Sequence, residues 1–341
     1  MISQLDRTTS GQRIAVVIPC YRVTDHVMDV IAGIGSEVDA IYCVDDACPD
    51  GSGDAIATQV RDPRVVLLRH ARNQGVGGAV MTGYRRALDD GMSVIVKIDG
   101  DGQMDPALIA AFVAPILEGH ADYTKGNRFW DLRAISAMPA IRKVGNLGLS
   151  FLSKLSTGYW DIFDPTNGYT AIHATLVSRL PLESISRRYF FETDLLFRLN
   201  TIRAAVVDIP MDARYADEVS NLRVSRVVWE FLAKHTRNTT KRIAYNYFLR
   251  DFTVASVELL LGAGMLTFGL VFGAWHWWHS AASGLATPVG TVMIATVALV
   301  SGLQFLLAFV GHDISTMPRR ALHPSLSRLP RSRPLLPGPQ T

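Results

Sequence analysis

The stretch VIVKIDGDGQMDP, residues 94–106, joins an apolar run to two closely spaced carboxylates. The run reads as a buried β-strand, and Asp99, Asp101 and Gln103 follow it at alternate positions. Because side chains alternate between the two faces of an extended chain, these three are expected to point the same way. Two like charges held together need a cation, and carboxylates combined with substrate phosphates commonly hold Mg²⁺ or Mn²⁺. A polar loop that caps a helix starting near Pro106 is the simpler alternative for this motif alone.

Strands and helices are predicted to alternate through the first third of the chain. The runs RIAVVIP, DAIYCVDD, RVVLLR and SVIVKID read as strands, and helices are predicted near residues 25–35, after residue 52, and over 76–90 and 106–118. Strict alternation predicts an α/β fold in which a doubly wound, mostly parallel sheet is covered on both faces.

Polar loops follow four of these predicted strands. Ligands bind outside the carboxyl ends of the strands in such sheets, so the four loops should converge on one crevice. They contain Pro19, the pair Asp45 and Asp46, the sequence HARNQG, and residues 99–103. In VDDACPD, the paired acids could accept hydrogen bonds from a nucleobase or a ribose, although an N-cap with turn acids explains that motif alone.

The loop NQGVGGA, residues 73–79, follows a predicted strand and opens a helix. Val80 stands where the third glycine of G-x-G-x-x-G belongs, and G-x-x-x-x-G-K-[ST] does not occur, which disfavours a nicotinamide enzyme and a P-loop enzyme. The glycines would let backbone N–H groups and a helix N-terminus approach an anion such as a diphosphate. A tight turn with close helix packing explains them equally well.

Two apolar runs follow residue 251. Residues 252–278 contain one charged residue, Glu258, and residues 287–310 contain none. A helix of about 20 apolar residues crosses a bilayer core of about 30 Å, so both runs are predicted to be transmembrane helices.

The charges that flank these two runs indicate their orientation. Residues 223–250 contain seven Lys or Arg against one acid, and residues 312–341 contain five Arg against one acid, whereas the connection has neither Lys nor Arg. The positive-inside rule therefore predicts that both termini and everything before the hairpin are cytoplasmic.

Composition indicates the character of the juxtamembrane segment, the two ends of the chain and the cysteines. Residues 223–251 mix apolar and basic residues and are predicted to form an amphipathic juxtamembrane segment on anionic lipid, which argues against nucleic acid as a partner. Residues 1–12 lack the apolar core of a signal peptide, and residues 311–341 carry Pro and Arg without apolar periodicity, so both ends are predicted to be disordered. The cysteines form no metal-binding spacing and are interpreted as free thiols; they are Cys20, Cys43 and Cys48.

Together, VVIPCYR, VDDACPD, RNQGVGGA and KIDGDGQ resemble glycosyltransferase family 2, whose members have the GT-A fold. Later motifs, KGNRF, DPTNGYTAI, FFETDLLFRL and RYADEVSNL, precede the paired apolar helices. That layout is similar to polyprenyl-phosphate glycosyltransferases of the dolichol-phosphate mannose synthase and bacterial glucosyl-carrier type. The resemblance implies a GT-A catalytic domain over residues 13–222, followed by the juxtamembrane segment, the hairpin over 252–310 and the tail. It also implies inverting transfer of a sugar from a nucleoside-diphosphate sugar to a polyprenyl phosphate.

The resemblance also implies roles for individual residues. Binding of the nucleotide sugar is expected at Pro19, Tyr21, Asp45, Asp46, Asp50, Asn73, Gly75, Gly78, Lys97 and Asp99. Asp99, Asp101 and Gln103 are expected to bind Mg²⁺ or Mn²⁺, which would neutralise charge on the departing diphosphate. Because arginine grips phosphate with two parallel donors, the acceptor is expected at Arg128 and Arg214, with Ser220 nearby. The predicted catalytic residues are Asp99, Asp101, Arg128, Glu192, Asp194 and Arg214.

Two departures from the family pattern bear on these roles. Cys48 stands where the family often has a hydroxyl residue, and Asn221 follows Ser220 where a lysine is common. The second departure weakens the case for a bare lipid phosphate as acceptor.

Other functions stay open at this point. A hydroxyl on a lipid-linked sugar or polysaccharide would need a general base, which Glu192 or Asp194 could supply. Charge stabilisation in the first turn of a helix explains the same pair. A non-catalytic membrane scaffold that retained the fold is the third alternative, although the close carboxylates argue against it. The sugar, the choice between UDP and GDP, and homo-oligomer formation are left undecided by the sequence.

Overall fold

A mixed β-sheet forms the centre of the first structural unit. The computed structural model describes residues 11–130, 140–165, 167–212 and 224–327. Within these residues seven strands pair in the order β3-β2-β1-β4-β6-β5-β7. They are β1 (Ile14–Cys20), β2 (Ala40–Asp45), β3 (Val65–Arg69), β4 (Val94–Lys97), β5 (Tyr123–Asn127), β6 (Thr170–His173) and β7 (Val206–Pro210). Only β6 runs antiparallel to its neighbours β4 and β5, so the predicted mostly parallel α/β sheet is confirmed.

Helices alternate with these strands and follow them along the chain. They are α1 (Val27–Gly33), α2 (Ser52–Gln59), α3 (Val76–Asp89), α4 (Ile109–Leu117), α5 (Ala140–Thr157), α6 (Ala174–Val177), α7 (Phe191–Thr201) and α8 (Val224–Ala244). Every residue of β1 is buried, with Val16 in one hydrophobic cluster and Val17 in the other, on the opposite face. Burying such a side chain contributes about 1.5–3 kcal/mol, which is why continuous apolar runs form the central strands.

The conformation after β4 differs from the prediction. The strand ends at Lys97, residues 100–101 form a turn, and Gly102 has a φ of +76°. The expected alternation of Asp99, Asp101 and Gln103 along an extended chain is therefore wrong. The helix predicted to begin near Pro106 begins as a single 3₁₀ turn, Pro106–Leu108, which Asp105 caps by accepting a hydrogen bond from the Ala107 N–H.

A second compact unit contains two long helices, α9 (Val254–Ser283) and α10 (Val289–Ser315). Both are long and apolar enough to cross a membrane. They pack closely because glycines face large residues: a Cβ on Gly262 would lie 2.9 Å from the Leu306 side chain, and one on Gly269 would lie 2.8 Å from Leu299. Small residues allow two helix backbones to approach in this way.

A buried ion pair lies at one end of this second unit. Arg242 at the end of α8 donates to both carboxylate oxygens of Asp313 in α10, at 2.6 and 2.9 Å. The Tyr247 hydroxyl donates to the same carboxylate at 2.7 Å. Only 2 % of Arg242 is exposed, so these contacts fix the segment before α9 against the end of α10.

After α10 the chain returns to the first unit, which includes the residues from Pro318. The buried carboxylate of Asp122 accepts hydrogen bonds from the N–H groups of Leu322 and His323 and from the His323 ring, all at 2.8–2.9 Å. His323 belongs to the short helix α11 (His323–Leu326) and stacks on His173, with ring centroids 4.1 Å apart. This stretch lies within the tail predicted to be disordered, and it is ordered because Asp122 offers it a buried acceptor.

Candidate active site

Buried charges of opposite sign meet beyond the end of β4. The Nζ atom of Lys97 lies 2.6 Å from Oδ1 of Asp99 and 4.0 Å from Oε1 of Glu192, which is in the first turn of α7. The Lys97 side chain is 2 % exposed, the Glu192 side chain 13 % and the Asp99 side chain 28 %. With Lys125 of β5, these residues are called the lysine–carboxylate cluster. Asp99 is therefore the member that solvent and ligands reach most readily.

Burial shifts the proton affinities in this cluster. It raises the pKa of Glu192 to about 7, against the opposing positive charges of Lys97 and Lys125. It lowers the pKa of Lys125 to about 8, although the carboxylates of Glu192 and Asp164 oppose the shift. Lys125 donates a hydrogen bond to the backbone carbonyl of Asn167. The cluster therefore combines two lysines with two carboxylates, one of which changes charge near neutral pH.

Gly168 is a site residue that the sequence analysis did not identify. A Cβ at this position would overlap the Nζ atom of Lys97 and crowd Oδ2 of Asp99. Only glycine allows the backbone before β6 to pass so close to the pair. The motif DPTNGYTAI carried a signal, since a glycine directly before a strand indicates a close backbone approach.

The predicted metal ligands lie on the turn after β4. Oδ1 of Asp101 accepts a hydrogen bond from the Gln103 N–H at 3.0 Å, and Gly102 between them has positive φ. Carboxylate and amide oxygens suit Mg²⁺ or Mn²⁺. In the described parts of the chain, no three His, Cys, Asp or Glu side chains are grouped to hold a metal by themselves. An ion at Asp99 and Asp101 would thus need further ligands from substrate or water.

Asp45 and Asp46 leave β2 in different surroundings. Asp46 is 2 % exposed, and its carboxylate pairs with the ring of His70 at 2.7 Å and accepts from the N–H groups of Gln74 and Gly75, both at 2.8 Å. Asp45 accepts from the Cys48 N–H at 2.9 Å. Asp46 therefore fixes the neighbouring HARNQG loop from inside, and its predicted contact with the nucleoside would compete with three existing partners.

The glycines of the next loop are used for packing. The N–H of Gly75 donates to Asp46, and the N–H of Gly78 donates to the Arg187 carbonyl at 3.2 Å. A Cβ on Gly77 would clash with the carbonyl of Ser186. Close packing, one of the two explanations left open by the sequence, accounts for these contacts. The binding predicted for Asn73, Gly75 and Gly78 would have to use other atoms than these two N–H groups.

The remaining residues predicted to bind the nucleotide sugar lie on the loops after β1 and β2. Pro19 pairs with Val44 near the end of β1, and Tyr21 directly after it is 42 % exposed. Asp50 is exposed, and its backbone carbonyl accepts a hydrogen bond from the Thr24 hydroxyl at 3.2 Å. Both loops are thus at the carboxyl edge of the sheet, on the side predicted for the ligand.

The guanidinium of Arg128 already has a carboxylate partner. It donates to both oxygens of Asp164, at 2.8 and 3.1 Å, and Asp164 is fully buried. A phosphate could use both of these donors only if the pair opened. Arg214 and Ser220, the other predicted acceptor residues, lie outside the described residues.

Glu192 and Asp194 face different surroundings although only Thr193 separates them. Asp194 is 5 % exposed and accepts from the Ser186 N–H at 2.9 Å and from the Asn238 side chain at 3.3 Å. These contacts connect α7 to the loop before it and to α8. Of the two predicted bases, Glu192 is the one beside Lys97 and Asp99.

Known proteins resemble this chain in sequence. Residues 15–180 match the family model described as glycosyl transferase family 2. A UDP-N-acetylglucosamine–dolichyl-phosphate N-acetylglucosaminyltransferase of Methanococcus voltae is 27 % identical over 218 residues, which cover 60 % of this chain and 86 % of that protein. An undecaprenyl-phosphate mannosyltransferase of Micrococcus luteus is 29 % identical over 203 residues, covering 58 % and 82 % of the two chains. The expected resemblance to glycosyl transferase family 2 is confirmed for residues 15–180.

Solved structures share the fold at low sequence identity. Mannosyl-3-phosphoglycerate synthase from Rubrobacter xylanophilus gives a TM-score of 0.52 at 17 % identity, covering 71 % of this chain and 77 % of that one. Glucosyl-3-phosphoglycerate synthase from Mycobacterium tuberculosis, in complex with Mn²⁺, UDP-glucose and phosphoglyceric acid, gives 0.50 at 18 % identity, covering 70 % and 82 %. The likeness confirms the expected GT-A type of fold.

Proposed function

Because residues 15–180 form a glycosyl transferase family 2 domain, we propose that the chain is a membrane-bound enzyme that transfers a sugar from a nucleoside-diphosphate sugar to a polyprenyl phosphate. The observation that carries the proposal is the lysine–carboxylate cluster beyond β4, in a chain that also has two helices able to cross a membrane. The relatives named above act on dolichyl phosphate and undecaprenyl phosphate, which supports this class of acceptor.

The residues suit direct displacement with inversion at the anomeric carbon. Asp45, with the loop fixed by Asp46, would hold the nucleoside. Mg²⁺ or Mn²⁺ held by Asp101 and Gln103, with Asp99 beside it, would supply positive charge for the departing diphosphate. A lipid phosphate oxygen is already anionic and needs no general base. On the acceptor side, Arg214 and Ser220 remain proposals, and Arg128 would contribute its guanidinium donors only if its pair with Asp164 opened.

We also propose that the catalytic unit and both termini are cytoplasmic in the inner membrane. Basic residues flank both ends of the hairpin, and the connection between α9 and α10 has neither Lys nor Arg. This asymmetry supports the orientation by the positive-inside rule. Nucleotide sugars would then reach the site from the cytoplasm.

Transfer to a hydroxyl of a lipid-linked sugar is the second candidate, and one observation favours it. Burial raises the pKa of Glu192 to about 7, which is close to the value that suits a general base at neutral pH. Glu192 also lies in the cluster with Asp99, where a donor sugar would be held.

One experiment separates the two acceptors. The full chain, purified in detergent, is given a panel of radiolabelled nucleotide sugars with either polyprenyl phosphate or a lipid-linked sugar. Labelled polyprenyl-phosphate sugar is the expected product with one of the donors. Labelling of the lipid-linked sugar alone, with every donor, would refute the leading proposal and support the second.

A further inference from the structure

Lys97 is placed to act on another residue of the protein. Its side chain is 2 % exposed, and its ammonium lies 2.6 Å from Oδ1 of Asp99. Asp99, 28 % exposed, separates the ammonium from the open side of the site. A charge-assisted contact of this length fixes the rotamer of the more exposed partner. Any effect of Lys97 on a donor would therefore pass through Asp99.

A second carboxylate balances the buried ammonium. Burying an ammonium is costly unless opposite charge accompanies it. Oε1 of Glu192 lies 4.0 Å from Nζ of Lys97, and the ring of Phe191 lies 5.7 Å from the same nitrogen. Glu192 and Asp99 thus both supply negative charge to the ammonium, and the face of an aromatic ring lies nearby.

The backbone before β6 also lies against Lys97 and Asp99. A Cβ on Gly168 would overlap Nζ of Lys97 and crowd Oδ2 of Asp99, so the pair lies directly against this backbone. The φ angle of Gly168 is not in the left-handed region, since the glycines with positive φ do not include it. An alanine at this position would need no change of φ, and its Cβ would displace the pair and press on Cε of Met104, 3.2 Å away. Gly168→Ala therefore tests the position of the pair while both of its charges are kept.

We propose that Lys97 is a positioning residue that fixes the carboxylate of Asp99 for donor binding, and that Glu192 keeps Lys97 in place. The inference rests on the proposed function, because the donor is taken to be a nucleoside-diphosphate sugar with a divalent ion. It gives Lys97 an indirect role in place of the direct donor contact expected from the sequence. It also gives Glu192 a role with a phosphate acceptor, which needs no base.

The test compares four variants of the full chain in detergent. Lys97→Met removes the ammonium, Glu192→Gln removes its counter-charge, and Gly168→Ala displaces the pair without changing any charge. Lys234→Met is the matched control, because Lys234 is not a member of the cluster: it pairs with Glu230 in α8 and lies 5.5 Å from the centre of the Phe190 ring. For each variant, kcat and the donor KM are measured, the Mn²⁺ dissociation constant is determined by electron paramagnetic resonance, and a thermal melt reports folding.

The expected signature combines slower transfer with opposite metal shifts. Lys97→Met, Glu192→Gln and Gly168→Ala should each lower kcat/KM at least tenfold, whereas Lys234→Met should not. Removing a positive charge beside Asp99 should tighten Mn²⁺ binding, and removing a negative one should weaken it, each by roughly threefold or more for charges several ångströms apart. A lysine that served only folding would lower the melting temperature of Lys97→Met and leave kcat/KM of the folded variant at the wild-type level.

Several outcomes would overturn the inference. Wild-type kinetics in Lys97→Met would do so, as would wild-type kinetics in Gly168→Ala if Lys97→Met does not fold. Mn²⁺ shifts of the same sign in the lysine and glutamate variants would also contradict it. If the wild type transfers sugar without binding Mn²⁺, the metal part of the proposed function fails. The role of Lys97 is then tested by the kinetics of the variants alone. If the wild type binds Mn²⁺ but transfers no sugar, the proposed function fails, while opposite Mn²⁺ shifts would still support the placement of Lys97.

Discussion

Two acidic residues in the first turn of α7 illustrate the residue scale. In the sequence FFETDLLF, Glu192 and Asp194 are equivalent candidates for a base. On a helix, however, positions two apart point to nearly opposite sides, because each residue turns by about 100°. Glu192 consequently reaches Lys97, whereas Asp194 accepts hydrogen bonds from Ser186 and Asn238. The turn of about 100° per residue would have predicted that Glu192 and Asp194 lie on different faces of the helix.

Asp101→Asn should abolish sugar transfer while leaving folding nearly unchanged. The change removes a carboxylate charge from the proposed metal site, and the amide can still accept a hydrogen bond from the Gln103 N–H. Turnover across a Mn²⁺ titration, measured together with a thermal melt, checks this expectation. Turnover near the wild-type level without added metal would refute a metal at this position.

The pH dependence of Glu192→Gln distinguishes the two acceptors. A general base acts only when ionised, so transfer to a hydroxyl should rise with pH through about 7, the value to which burial raises the pKa of Glu192. The variant should then lose this rise and about 10²–10⁴ in rate. With a phosphate acceptor, which needs no base, the variant should lose roughly tenfold through the missing counter-charge of Lys97, and not the 10²–10⁴ of a missing base. Asp194→Asn is the control, since it should lower the melting temperature more than the rate.

At the scale of elements, the sequence predicted β1 to β4 and the helices between them because alternating apolar runs and turns are local signals. The antiparallel direction of β6 was not predicted from the sequence. This strand has four residues and is inserted antiparallel between β4 and β5, and its register is set by partners distant in the chain. The docked segment from Leu322 was also missed, because its acceptor Asp122 is 200 residues away in the chain.

Asp122→Asn should release the docked segment. Burial opposes ionisation of Asp122, but hydrogen bonds from His323, Leu322 and Ala205 outweigh it and lower the pKa of the carboxyl. Losing charge-assisted bonds of this kind costs about 1.5–3 kcal/mol each. We expect a lower melting temperature and faster tryptic cleavage after Arg319 and Arg320, both of which precede the segment. Asp89→Asn, on the exposed end of α3, is the matched control.

If the two aspartate variants are cleaved at the same rate, Asp122 does not hold the segment. A change in Asp122→Asn confined to sugar transfer, with cleavage and melting unaltered, would be equally incompatible with a docking role.

At the scale of the whole molecule, the charge asymmetry around the hairpin predicts its orientation. In a Cys48→Ser background, where the buried Cys20 and Cys43 remain, a cysteine introduced at Ser283, at the end of α9, should react with a membrane-impermeant maleimide in intact cells. A cysteine at Ser10 should react only after the membrane is permeabilised. Labelling of Ser10 from outside would contradict the cytoplasmic placement of the catalytic unit, and with it access to nucleotide sugars.

The return of the chain to Asp122 has a consequence for biosynthesis. Asp122 and His323 are separated by 201 residues, and both long apolar helices are made between them. At a synthesis rate of about 5–20 residues per second, Leu322 and His323 are synthesised roughly 10–40 s after Asp122. During that interval the carboxylate lacks the N–H groups of Leu322 and His323 and the His323 ring. A ribosome that stalls within the hairpin therefore leaves behind a chain that proteases and chaperones can recognise as unfinished.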